Sequence, residues 1–133
     1  MLCGIAYGLL LTFAATLATA DDNGAQVIPP AEARNHVGQQ VTVEMVVKKT
    51  KTSVHKKMVF LDSLEDFQDP DNLGIAIDEA GEQDLGRKFN NTDLPALFLN
   101  KTIRVTGTVA RRDERTYIDV DKASQIDLVP ANP

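Results

Sequence analysis

The sequence has no Trp and a single Cys, Cys3. An intrachain disulfide is therefore impossible, and a zinc site built on several cysteines is excluded. Only two histidines occur, His36 and His55, well apart in the chain. The G-x-S-x-G elbow of many serine hydrolases is absent. Bases are outnumbered: Lys plus Arg total 14 against 19 Asp plus Glu, for a net charge of -5. That excludes a generally basic protein that coats nucleic acid, but leaves room for a local basic patch. Repeats and low-complexity tracts are also missing. Hydrophobic residues make up 43% and charged residues 25%, which excludes a disordered or collagen-like chain. With 133 residues, one domain is expected.

The first twenty residues contain no Lys, Arg, Asp, Glu or His. The apolar run from Leu9 to Leu17 ends in Ala18-Thr19-Ala20, and Asp21-Asp22 follows. Small residues at Ala18 and Ala20 fit a signal-peptide cleavage pattern. The run is too short and too abruptly ended for a comfortable membrane span. The expectation is an exported protein, periplasmic or secreted, cleaved after Ala20. No stable membrane span would remain after cleavage. The segment ahead of the run lacks Lys and Arg, so an uncleaved N-terminal anchor is the alternative. Cys3 precedes the run and does not fit a lipoprotein site. Asn90-Asn91-Thr92 and Asn100-Lys101-Thr102 are glycosylation sequons that matter only in a eukaryotic secretory route.

Residues 21–28 open on the polar Asp21-Asp22-Asn23 and read as a flexible lead-in, with the domain over 29–130. Pro30 suits the first position of a short helix, and Gly38 a position just past its end. From Gln40 to Lys49, Val41, Val43, Met45 and Val47 share one face, as in a half-buried strand. Lys48 to Lys57 is polar and leads, through a hairpin, to a second strand at Met58-Val59-Phe60-Leu61. An acidic loop follows over 62–72. Leu73, Ile75 and Ile77 alternate in a third strand. The stretch from Gly81 to Asn100 is polar, then apolar at Leu94, Ala96, Leu97 and Leu99. A short helix capped by Asp93 is expected there. Thr102 to Val109 is a fourth strand, with Gly107 marking a bend or bulge. Ala110 to Glu114 reads as a charged turn. Thr116 to Val120 is the fifth strand, and Ile126 and Leu128 close the chain in extended form. The expected core is Val41, Val43, Met45, Val47, Ile75, Ile77, Ile103, Val105, Ile118 and Val120. The expected architecture is all-β: a five-stranded, partly open Greek-key barrel with a short helix between strands three and four. A small antiparallel sheet carrying one helix is the rival.

Charge is segregated along the chain. Residues 48–57 hold Lys48, Lys49, Lys51, Lys56 and Lys57 with His55 and no acid. Residues 62–84 hold nine acids and no base, and Arg111, Arg112 and Arg115 cluster near the last turn. Asp69-Pro70-Asp71-Asn72-Leu73-Gly74 offers oxygens, but Ala80 stands where a calcium loop needs Glu. Gly81 to Lys88 mimics a phosphate-binding loop superficially. Arg87 and Lys88 stand in the wrong places, and Glu82 and Asp84 repel phosphate. No metal, cofactor or catalytic residue is assigned.

Two segments resemble an OB-fold domain of the nucleic-acid-binding type, in a small exported bacterial form. Val37-Gly38-Gln39-Gln40-Val41-Thr42-Val43-Glu44 is similar to the opening of the first OB strand. Asn100-Lys101-Thr102-Ile103-Arg104-Val105-Thr106-Gly107-Thr108-Val109 is similar to the fourth. Ser124 to Leu128 resembles the closing segment. Glu44 departs from the Gly that many relatives carry. The resemblance implies that the first and last hairpins flank a ligand face. Lys48, Lys49, Lys51, Lys56, Lys57, Arg111, Arg112 and Arg115 would then form a cationic groove, with Tyr117 as stacking platform. Phe60, Phe89 and Phe98 are expected in the core, so stacking residues look few. Three functions follow. One is a non-enzymatic binding module for single-stranded nucleic acid or another polyanion. The second is a cell-envelope protein-interaction or structural module whose charged hairpins are merely solvated. The third is a small secreted nuclease, although the Asp-Gly-Asp-Thr signature of that class is lacking. OB-folds host many functions, so fold alone does not choose among them.

Overall fold

The computed structural model describes residues 26–130, so the proposed signal segment and its cleavage point lie outside the described residues. No helix among the described residues is long and apolar enough to cross a membrane.

The chain enters with β1 (Val27–Ile28), paired in parallel with β2 (Gln40–Val46). Residues 27 and 28 are therefore strand and not lead-in: Ile28 is buried in the core. Two residues are too few to show a period, so this strand leaves no pattern in the sequence. A 3₁₀ helix (Pro30–His36) follows, with Pro30 at its start and Ala33 fully buried. In β2 the exposed and buried positions alternate, with Val41, Val43 and Met45 inward. Glu44 pairs across the sheet with Arg104, Nε to Oε1 at 2.8 Å, so the residue that departs from the OB pattern is tied by charge.

The polar stretch after Lys48 is not all loop. Lys49–Ser53 forms β3, paired antiparallel with β4 (Met58–Asp62), and only residues 54–57 turn. Cross-strand bonding to β4 imposes the extended form on a segment whose side chains give no apolar signal. β5 (Leu73–Ile77) is buried along its whole length. Two helices then follow where one was expected. The first, α1 (Glu79–Phe89), was hidden because it buries only Leu85 and Gly81. Two glycines and a mostly polar surface blur its periodicity. Its caps are regular: Asp78 accepts from the Gly81 N–H at 2.7 Å, and Asn90 closes it in the left-handed conformation. The second, α2 (Leu94–Phe98), is capped by Asp93 as expected.

β6 (Thr102–Arg112) runs on through the segment read as a charged turn, and β7 (Arg115–Val120) returns. The true turn is Asp113-Glu114, both with positive φ, 53° and 64°. Paired positive φ values match the twist of a tight hairpin. Gly107 marks the place where β6 passes from β2 to β7. A Cβ there would lie 2.6 Å from Ile118 Cγ2, so only glycine lets the strands approach. A final 3₁₀ turn (Ala123–Gln125) leads into β8 (Ile126–Leu128), paired with β6.

The strand order is β1-β2-β6-β7-β5-β4-β3, an open path with β8 added on β6. Its β5–β7 pairing is parallel, while β2–β6, β6–β7, β4–β5 and β3–β4 are antiparallel. All ten expected core residues are buried, none more than 7% exposed. The helices close this core with Leu85, Leu94 and Phe98, the last edge-on to Phe89 at 5.7 Å.

Candidate functional site

Strand phase decides which face is free. Val59, Leu61, Ile75, Ile77, Ile118 and Val120 point into the core. Their neighbours must point outward, because successive side chains in a strand alternate. One outward row crosses the sheet as Lys49, Asp62, Gly74, Tyr117 and Ala110. The next runs Lys51, Phe60, Ala76 and Asp119. Gly74, Ala76 and Ala110 are small, so the middle of this face is a trough.

Gly74 sets the depth of the trough. A Cβ at this position would lie 2.9 Å from Tyr117 Cδ1 and 3.3 Å from Asp62 Oδ1. Ring and carboxylate therefore both rest over bare backbone. Phe60 lies beside the Tyr117 ring, with centroids 6.3 Å apart. Arg112 covers Tyr117 at 4.7 Å and binds Asp119 through two bonds of 3.0 and 2.9 Å. These bonds hold the Arg112 guanidinium still further above its already high ordinary value. A third ring, Phe67, reaches in from the acidic loop, with Arg115 over it at 4.6 Å and Lys51 at 5.7 Å.

Two clefts are contiguous along this trough. One, of about 330 Å³, is lined by Lys49, Lys51, Arg115, Phe67 and Asp62 among others. The second, of about 510 Å³, adds Met58, Asp78, Arg112 and Asp119. Lys56, Phe60 and Tyr117 line both.

The expected cations are thus divided. Lys49, Lys51, Lys56, Arg112 and Arg115 gather round Tyr117. Arg112 is already matched by Asp119. Lys48, Lys57 and Arg111 line neither cleft. Arg111 has the opposite phase to Arg112 and reaches Thr116 Oγ1 at 3.3 Å. Tyr117 stands where a platform was expected. Phe60 does not lie in the core: it is half-buried on the outer face, opposite in phase to the fully buried Val59 and Leu61. That alternation was readable in Met58-Val59-Phe60-Leu61.

Asp62 was missed, because it opens a run of acids that reads as a solvated loop. It is only 7% exposed. Its Oδ1 accepts from Asn72 Nδ2 at 3.0 Å. Asn72 Oδ1 in turn accepts from the Leu64 N–H at 2.9 Å, and Ser63 Oγ accepts from the Leu73 N–H at 2.9 Å. Burial pushes the Asp62 carboxyl above its ordinary value, and Asn72, Lys49, Lys51 and Arg115 oppose that rise. Elsewhere in the acidic loop, carboxylates cap backbone: Asp66 accepts from the Gln68 N–H and Asp69 from the Asp71 N–H. Among the described residues no three His, Cys, Asp or Glu side chains group as a metal site requires.

Compared with family models and with curated proteins, the sequence matches none. Solved structures do resemble it. One, described as an aspartyl-tRNA synthetase from Leishmania major Friedlin, has a TM-score of 0.52 at 13% identity over 90% of this chain. The aspartyl-tRNA synthetase from Entamoeba histolytica has a TM-score of 0.51 at 13% identity over 84% of this chain. The present chain spans about a quarter of their length, 24% and 23%. OBody AM1L10, bound to hen egg-white lysozyme, has a TM-score of 0.54 at 12% identity, covering 84% of this chain and 100% of its own. Fold and likeness together define the class: the chain is an all-β OB-fold.

Proposed function

We propose that this OB-fold is a non-enzymatic, exported module that binds single-stranded nucleic acid along the outer trough. One observation carries the reading: Phe60, Phe67 and Tyr117 are interleaved with Lys49, Lys51, Lys56 and Arg115 in a single groove. Lysine charges attract phosphates, and ring faces stack bases of any sequence. A polyanion without bases would use the lysines and leave the rings idle. Two structural neighbours are named as tRNA synthetases, so similar folds occur in proteins that act on RNA. The OBody neighbour, bound to lysozyme, supports the competing reading of a protein-interaction module. In the acidic loop Asp66 and Asp69 accept from backbone N–H groups, a turn-capping role that needs no catalysis.

The test is a fluorescence titration of a labelled single-stranded octanucleotide at several salt concentrations. Each neutralised phosphate contributes about 0.7 to the slope of log affinity against log salt. Three or four contacts give a slope of roughly -2 to -3. Absence of binding at low salt overturns the proposal and favours a protein partner. Export is tested by the intact mass of the periplasmic or secreted product. A chain beginning at Asp21 supports it, and one beginning near Met1 overturns it.

A further inference from the structure

A buried carboxylate is out of place in a groove meant only for phosphate. Asp62 lies between Lys49 and Gly74 in the central row, beside the Tyr117 ring. Its burial costs free energy, and its charge repels every phosphate that the lysines attract. Lys49, Lys51 and Arg115 act on it through space, without a direct ion pair. Asn72 takes one of about four acceptor positions that a carboxylate offers. The rest are satisfied only by a ligand or solvent that donates hydrogen bonds. A cationic ligand is disfavoured, since Lys49, Lys51, Lys56 and Arg115 outnumber the one acid in this cleft. A neutral donor edge on an anionic chain meets both conditions: a nucleobase.

The bases differ in what they present. Guanine offers two adjacent donors, N1–H and the N2 amino group, which match the two oxygens of a carboxylate. Adenine and cytosine place an acceptor nitrogen beside their amino group. Thymine and uracil place carbonyls on both sides of one N–H. We infer that Asp62 makes this groove selective for guanine, accepting from N1–H and N2–H. The inference rests on the nucleic-acid reading and names the base which that reading leaves open. Asn72 is the positioning residue. Its amide is fixed by the Leu64 N–H and directs Asp62 Oδ1.

The experiment compares labelled dT octamers carrying one central dG, deoxyinosine, dA or dC with the all-dT octamer, using the intact protein. The dG octamer is expected to bind about 5- to 150-fold tighter than all-dT, the range of one bidentate base contact. Deoxyinosine lacks the N2 amino group and should fall between them. Asp62→Asn keeps the shape but replaces one acceptor by a donor. It should erase the dG preference, so that the ratio of dG to all-dT affinity falls to about one. Equal affinity of the unaltered protein for all five octamers overturns the guanine assignment and leaves the binding proposal standing. Binding of none overturns both. The deoxyinosine comparison uses unaltered protein, so it decides the matter even if Asp62→Asn fails to fold.

Discussion

Replacing Gly74 by Ala adds one methyl group at the floor of the trough. That methyl would sit 2.9 and 3.0 Å from Tyr117 Cδ1 and Cε1, and 3.3 Å from Asp62 Oδ1. Carbon atoms pack best about 3.5–4.0 Å apart, so the ring must retreat by roughly 0.5–1 Å. Phe60 and Arg112 flank the ring and resist the shift. Overpacking of this kind costs about 1–3 kcal/mol. Gly→Ala also restricts the unfolded chain, which returns about 0.4–1 kcal/mol. The net loss is about 1.3 kcal/mol at mid-range and about 0–2.6 kcal/mol at the limits, or a mid-range drop in Tm of roughly 5–8 °C for a domain of this size. Lifting the ring also forfeits part of the about 1–3 kcal/mol that one stacked base contributes. Thermal melting followed by circular dichroism reads the first effect, and octanucleotide titration the second. A variant that melts at or above the parent and binds equally well refutes the placement of Tyr117 over Gly74, and with it the depth of the groove.

Val105 is fully buried in β6, so Val105→Asp should unfold the domain, because an unpaired buried carboxylate costs several kcal/mol; parent-like melting would refute the strand phase. Changing Lys49, Lys51 and Lys56 to Gln should lower the salt slope by up to about 2 without lowering Tm, since all three are exposed. The same change at Lys48, Lys57 and Arg111 should leave the slope nearly intact, and an equal loss in both sets would refute the division of charges. Asp62 gives a pH signature. Its carboxyl is raised by burial from 3.8, so the folded chain holds that proton to higher pH than the unfolded chain does. Stability therefore falls as pH rises through that window. Asp62→Asn should melt above the parent at neutral pH, and the gain should vanish in acid below the ordinary carboxylate value. A gain that persists there would show that charge is not its cause.

The strands were legible because alternation is a strong signal when one face is buried. Val41 to Val47, Leu73 to Ile77 and Ile103 to Val105 all point as their spacing implies. The helix α1 was illegible for the converse reason: it buries too little to imprint a period. β3 takes its form from pairing with β4, and no side-chain pattern announces it. The Asp113-Glu114 turn lacks the Gly or Asn that usually marks positive φ. In the site, the clustering of cations was readable, but which of them line the trough was not. Lys49 and Lys51 share a face with Phe60 only because Lys51 pairs with Phe60 in the β3–β4 register. Asp62 looked like the first residue of a solvated loop, and only the turn back through Asn72 buries it.

The binding face is tested most directly by amide chemical-shift mapping of ¹⁵N-labelled protein titrated with a single-stranded octanucleotide at low salt. The trough reading predicts shifts concentrated at Lys49, Lys51, Lys56, Phe60, Phe67, Arg115 and Tyr117, with β1 and β8 undisturbed. Shifts centred on β1 and β8, or none at any ratio of oligonucleotide to protein, would contradict it.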